Sequence, residues 1–83
     1  MSEPYYKTSH VTGRTYDIFN IVRILNIKQV IFYMKYQLDI LDIEISRDRK
    51  TNEPILVFYF DREKSKPIFD IWCRNREMEN VND

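Results

Sequence analysis

Residues 40–46 read ILDIEIS and residues 55–60 read ILVFYF, and these two segments decide the fold. The first alternates apolar and polar side chains, a pattern typical of a strand with one covered face and one solvated face. The second is apolar throughout, which is typical of a central strand covered on both faces. The polar segment between them ends in Pro54 and is short enough for a turn, so we predict an antiparallel hairpin.

Upstream of this hairpin, the sequence predicts a helix from about Ile27 to Gln37. Asn26 is the expected N-cap, and Gln29 three residues later completes the pattern of a capping box. The strongest argument is an apolar stripe at helical spacing, made by Ile27, Val30, Ile31, Met34 and Leu38. Residues 16–25 are rich in β-branched and aromatic side chains and favour a strand, although a helix is an open alternative there.

Downstream of the hairpin, Asp61 or Ser65 is suited to cap a last helix, in which Pro67 is tolerated only within the first turn. The resulting order, β-α-β-β-α, predicts a small two-layer α+β domain with a three-stranded, mostly antiparallel sheet and two helices. We expect a flexible N-terminal arm over 1–15, a single domain over 16–76 and an acidic disordered tail over 77–83.

Composition excludes several functional classes. The 83 residues, 43% of them hydrophobic, fit one folded domain, and 13 basic residues balance 13 acidic ones. One His and one Cys exclude a zinc cluster or a disulfide framework, and one Gly excludes glycine-rich phosphate loops. Without a long apolar run or a signal peptide, we expect a cytoplasmic protein with no membrane contact. We also expect no enzymatic activity, no cofactor and no metal.

The predicted helix carries a second apolar face, opposite the first. Its members recur at helical spacing: Gln29, Phe32, Tyr33 and Tyr36. Exposed aromatic side chains in a row usually mark a binding site for a partner, so we predict a protein interface here. A homodimer is the first expectation and a host protein the second. Burial of the same face beneath the last helix or the N-terminal arm is the open alternative.

A second hypothesis is nucleic-acid binding. Residues 47–76 hold eight basic and five acidic side chains, a net charge of +3. In this interpretation Tyr33 and Tyr36 stack on bases. The expected phosphate contacts are Arg47, Arg49, Lys50 and Lys64.

A third and weakest hypothesis is a metal-dependent enzyme that uses Asp42 and Glu44. These residues lie two apart on the predicted strand, so their carboxylates share one face. We favour a solvated sheet face that discourages aggregation through strand edges. His10 and Cys73 stand alone in the sequence, and we interpret them as a loop residue and a structural thiol.

Four segments together resemble a family of small proteins from bacteriophages and related mobile elements, whose function is unknown. The segments are NIKQVIFYMKYQ (26–37), LDILDIEIS (38–46), VFYFD (57–61) and PIFDIW (67–72). The family usually has Gly at the position of Gln37. The resemblance implies a phage- or prophage-encoded accessory protein in a bacterial host cell, and it assigns no catalytic residues.

Overall fold

The computed structural model describes residues 5–81 and the side chains of residues 5–75. It confirms the predicted α+β class. The order β-α-β-β-α is present from residue 21 onward, and a further strand pair precedes it. The elements of the described part are β1 (Tyr6–Thr8), β2 (Thr15–Asp17), β3 (Ile21–Ile24), α1 (Ile27–Lys35), β4 (Asp42–Arg47), β5 (Pro54–Asp61) and α2 (Arg62–Val81).

The main sheet has three antiparallel strands in the order β3-β5-β4. The predicted hairpin of β4 and β5 is confirmed, and β5 is the central strand. Pro54 is the first residue of β5 and lies opposite Arg47, the last residue of β4. At this end of the ladder its missing N–H does not interrupt the hydrogen bonds of the sheet interior.

Both faces of the sheet are covered, because alternate residues of β5 enter two different hydrophobic clusters. Phe58 and Phe60 pack with Val30 and Tyr33 of α1, and Ile68 of α2 packs against the same cluster. Both helices therefore lie on one face. The opposite face has its own cluster, made by Tyr16, Ile21, Val57 and Tyr59.

Residues 5–15 do not form the flexible arm that the sequence predicts. Strands β1 and β2 pair in an antiparallel hairpin, which we call the N-terminal hairpin. The Ser9 hydroxyl accepts hydrogen bonds of 3.0 Å from two N–H groups of the turn, and Gly13 there has a φ of 75°. The prediction relied on the low apolar content of this segment. Hydrogen bonds between polar groups of the turn order it instead.

The strand predicted over 16–25 is interrupted by a turn. The Asp17 carboxylate accepts a hydrogen bond of 2.9 Å from the Phe19 N–H, and the Asn20 N–H bonds to the Asp17 carbonyl at 3.0 Å. An aspartate that bonds to backbone groups just ahead of it is typical of turns. The single predicted strand is therefore two strands, β2 and β3, which belong to different sheets.

Helix α1 begins at its expected cap and ends earlier than predicted. The Asn26 side chain accepts a hydrogen bond of 3.0 Å from the Lys28 N–H, whereas Gln29 bonds to Tyr33, so the predicted capping box is absent. At the other end Gln37 has a φ of 64°, and the Leu38 N–H bonds to the Tyr33 carbonyl. This is a Schellman arrangement, which ends the helix at Lys35.

Helix α2 begins after Asp61, whose carboxylate accepts hydrogen bonds from the Glu63 and Lys64 N–H groups at 2.9 and 3.0 Å. The prediction for Pro67 is wrong, since it lies inside the helix beyond the first turn. The disordered tail predicted from residue 77 is also wrong as far as Val81, because α2 continues there through Glu77, Met78 and Glu79, which are good helix formers. Predictions for residues 1–4 and 82–83 lie outside the described residues.

Candidate interaction surface

Helix α1 turns to the core a face that only partly matches the predicted one, because Val30, and Leu38 just after the helix, are buried as predicted, whereas Ile27, Ile31 and Met34 are not. Its buried residues are Val30 and Tyr33, and the Tyr33 side chain is only 1% exposed. The Tyr33 ring meets Phe60 edge to face, with ring centres 5.0 Å apart. The half-buried Gln29 donates a hydrogen bond of 2.9 Å to the Tyr33 hydroxyl. Tyr33 therefore belongs to the core, and its predicted place in an interface is wrong.

The other two aromatic residues of the predicted face lie on the side of α1 that meets α2. The ring centre of Phe32 is 5.3 Å from that of Trp72, and Tyr36 packs on Phe32 at 5.0 Å. Tilted pairs at these distances are favourable beyond the area they bury. Phe32 is half-buried in this contact, whereas Tyr36 keeps about half of its surface exposed. Of the three predicted aromatic residues, Tyr36 is the one that presents a large exposed surface.

The exposed side of α1 is aliphatic. Ile27, Ile31 and Met34 share one face at helical spacing and are 49%, 50% and 52% exposed. We call these three residues the aliphatic stripe. The prediction that they enter the core is wrong. The helix is apolar nearly all round, so the packing of Tyr33 and Phe32 decides which side faces the core. The spacing of apolar residues in α1 does not reveal this packing.

Polar side chains border the aliphatic stripe. Lys28 and Lys35 are exposed on the same helix, and the exposed Asp39 follows it and pairs with Arg14 at 3.4 Å. An apolar centre with a charged rim is the usual arrangement of a protein interface. The sequence signal that could have found this stripe is the run of apolar residues itself, since it exceeds what one helix face can bury.

Asp42 does not lie on a solvated face, because the N-terminal hairpin covers it. Its side chain is 4% exposed and accepts hydrogen bonds from the Ser9 hydroxyl at 2.6 Å and the Tyr16 hydroxyl at 2.5 Å. The Ile43 N–H bonds to the same carboxylate at 2.8 Å. Burial alone would raise the pKa of the Asp42 carboxyl, but these three hydrogen bonds together lower it below its ordinary value.

Glu44 forms the second half of the same polar contact. The Tyr59 hydroxyl donates a hydrogen bond of 2.7 Å to it, and the Lys7 ammonium lies 3.3 Å away. The hydrogen bond from Tyr59, with help from Lys7, lowers the pKa of the Glu44 carboxyl. Both carboxylates are thus occupied by groups of the chain itself. Among the described residues, no three His, Cys, Asp or Glu side chains are close enough to hold a metal ion.

The four cations of the nucleic-acid hypothesis lie at two separate places. Arg47, Arg49 and Lys50 are exposed around the turn between β4 and β5, whereas Lys64 lies in the first turn of α2. Strand β5 separates these positions, and its 8 residues span roughly 23 Å at ~3.3 Å per residue. With Tyr33 buried as well, the expected combination of a basic patch and two stacking rings is not assembled.

Neither helix in the described part of the chain has the length and hydropathy that crossing a bilayer requires. His10 is exposed in the turn of the N-terminal hairpin, and Cys73 is a half-buried free thiol in α2.

The resemblance to small phage proteins stays a prediction. In comparisons with protein-family models, curated proteins and solved structures, nothing was found that matches this chain.

Proposed function

We propose that this protein is a non-catalytic interaction module that forms a homodimer through the aliphatic stripe of α1. The observation that carries the proposal is the exposure of about half of each of Ile27, Ile31 and Met34 on one helix face. Contiguous apolar surface of this kind is a common mark of association, because its burial is favourable at roughly 25 cal/mol per Å².

The size of the molecular surface supports association. The chain exposes 6844 Å², whereas a compact monomer of 10.2 kDa exposes about 5,300 Å². Its radius of gyration of 14.6 Å also exceeds the ~12 Å of a compact domain of this length. A standard interface removes about 800 Å² from each partner, which is less than this excess, although the 20-residue helix α2 also contributes to the excess.

A second copy is the occupant that we favour. A two-fold contact brings the same patch of both chains together, and an antiparallel pair of α1 helices would place Ile31 near its centre and Ile27 against Met34 of the other copy. The charged rim of Lys28 and Lys35 would then stay at the periphery in water. A host protein on the same stripe, in a phage-infected or prophage-carrying cell, is the alternative occupant.

Sedimentation equilibrium from about 5 to 500 μM tests the proposal. We expect a concentration-dependent dimer for the wild type and a folded monomer for Ile31→Glu. The matched control is Ile45→Glu, which places the same charge at an isoleucine of β4 that is 75% exposed. A wild type that remains monomeric, an Ile31→Glu variant that still dimerises, or a control that dissociates equally would each refute the proposal.

Nucleic-acid binding remains the alternative function, with the turn residues Arg47, Arg49 and Lys50 as its carriers. Titrations against single- and double-stranded DNA at about 50 and 200 mM salt discriminate between the two functions. Binding that weakens steeply with salt and is lost in a triple glutamine variant of the turn would favour this alternative. We expect no such binding.

A further inference from the structure

Strand β3 has an open edge. It pairs with β5 on one side, and no other strand of the described residues pairs with it. The Arg62 N–H bonds to the Asn20 carbonyl at 3.1 Å, just beyond the end of the ladder. Hydrogen-bonded positions alternate along antiparallel strands, so the N–H and C=O groups of Val22 and Ile24 point to β5. Those of Ile21 and Arg23 therefore point outward.

The opposite edge of the sheet is partly closed by the chain itself. On β4, the Ile43 N–H is occupied by the Asp42 carboxylate, and just before it the Leu41 carbonyl accepts a hydrogen bond of 2.7 Å from Thr12. On β3 the corresponding protection is one long contact of 3.4 Å from the Arg62 guanidinium to the Ile21 carbonyl. A charged side chain over an edge is a common way to keep it from pairing indiscriminately.

Two grooves flank the open edge, and Val22 and Arg62 line both of them. The first, about 330 Å³, lies on the helix side, and its apolar lining comes from Val22, Ile24 and Phe69. The second, about 430 Å³, lies at the start of the strand and is lined by Ile18, Phe19 and Ile21. A fourth strand on this edge would lie beside both grooves, and its side chains, which alternate between faces, could enter them.

Three basic side chains lie around this edge, although one of them, Arg23, also packs over the Tyr59 ring at 5.5 Å and lines a further groove together with Glu44. Arg23 and Arg62 line the second groove, Arg62 and Lys66 line the first, and neither groove has a carboxylate in its lining. Among the described residues, none of these three cations forms an ion pair. The carboxylate of Asp61, opposite Ile21 in the ladder, is already occupied by N–H groups of α2.

We propose that the open edge of β3 binds an extended acidic peptide segment of a partner protein by strand addition. The peptide would bond to the outward groups of Ile21 and Arg23. Its N–H would replace Arg62 at the Ile21 carbonyl, which frees the guanidinium to pair with a peptide carboxylate. A second copy of this chain is a poor occupant, because its β3 edge carries the same three cations. The surface is separate from the aliphatic stripe.

Fluorescence anisotropy with a labelled peptide of sequence EVEVEVEVE tests this inference, with KVKVKVKVK as the charge-reversed control. The decisive variants are Arg23→Gln, which removes the charge, and Arg23→Pro, which also removes the outward N–H. Proline at this edge position leaves the ladder to β5 intact. Lys28→Gln is the control for loss of a charge elsewhere, and Ile31→Glu is the control for the aliphatic stripe.

We expect saturable binding of the acidic peptide, at least tenfold weaker binding of the basic one, and unchanged affinity in Lys28→Gln and Ile31→Glu. Arg23→Pro should bind at least fivefold more weakly than Arg23→Gln, with both variants folded by circular dichroism. Absence of binding to the acidic peptide, equal binding of both peptides, or equal affinity of the two Arg23 variants would overturn the inference. Loss of a dimer in Arg23→Pro would place a second copy at this edge and also overturn it.

Discussion

The phenol oxygen of Tyr16 lies 2.5 Å from a carboxylate oxygen of Asp42, and this hydrogen bond joins the N-terminal hairpin to strand β4. The other carboxylate oxygen accepts from Ser9 of the same hairpin at 2.6 Å. The Tyr16 ring also meets Tyr59 edge to face, with centres 5.8 Å apart. Polar and aromatic contacts thus hold a segment with few apolar side chains against the sheet.

Replacing Asp42 with Asn tests the contribution of the buried carboxylate. Asn has nearly the same shape but presents an amide donor to one of the two hydroxyl groups. Because hydrogen bonds to a charged acceptor contribute about 1.5–3 kcal/mol, we expect the free energy of unfolding to fall by about 2 kcal/mol. Urea denaturation measures it. Asp39→Asn, at an exposed ion pair, should change stability by less than about 0.5 kcal/mol, and equal losses in both variants would contradict this role.

The carboxylates of Asp42 and Glu44 make the free energy of unfolding depend on pH. The pKa values of Asp42 and Glu44 are lower in the folded chain than their ordinary values, so the unfolded chain takes up protons first as the pH falls. The stabilisation is complete above about pH 5 and is lost as the pH falls below about 4 through the folded pKa values.

Urea midpoints measured at pH 7, 5, 4 and 3 check this dependence. We expect the wild type to lose more stability between pH 5 and 3 than Asp42→Asn does, so that the two chains converge at low pH. An equal loss of stability in both chains would show that the pH dependence does not come from Asp42.

Alanine substitutions distinguish the two tyrosines of α1. Tyr33→Ala removes a fully buried ring and should cost about 3–5 kcal/mol, whereas Tyr36→Ala, at a half-exposed ring, should cost less than about 1.5 kcal/mol. Thermal denaturation followed by circular dichroism measures both. Similar losses, or a larger loss for Tyr36→Ala, would be inconsistent with the burial of Tyr33.

Glycine at position 37 should stabilise the protein. Gln37 has a φ of 64°, a left-handed conformation that costs a residue with a Cβ about 1 kcal/mol, although glycine loses more backbone entropy on folding. We expect a net gain of about 0.5 kcal/mol for Gln37→Gly. Asn52→Gly is the matched control, since Asn52 has a φ of 60° but asparagine tolerates this region. A gain in stability for Asn52→Gly without one for Gln37→Gly would contradict this expectation.

The β4–β5 hairpin and both helices were predictable because each leaves a local signal in the sequence. Alternation in ILDIEIS and the continuous apolar run of ILVFYF reflect whether one or two faces of a strand are covered. Asn26 and Asp61 act as caps through bonds to residues within a few positions, which sequence spacing also reports.

The parts that depend on distant contacts were not predictable from spacing. The rotation of α1 is decided by Phe60 and Trp72, which lie far along the chain. The burial of Val30 was therefore predicted correctly, but Tyr33 was assigned to the surface and the aliphatic stripe to the core, and both assignments are wrong. The N-terminal hairpin has strands of 3 residues, too short for any periodicity. Asp42 was interpreted as solvated because nothing in its own strand reveals the hairpin that covers it.

The aliphatic stripe is tested most directly by isotope-filtered NMR on a one-to-one mixture of labelled and unlabelled protein. If two copies pack through α1, the methyl groups of Ile31 and Met34 will show intermolecular nuclear Overhauser effects to the unlabelled chain. Intermolecular effects that are absent at 500 μM, or that are confined to Ile45 and Leu56 on the β4–β5 hairpin, would contradict self-association through this face.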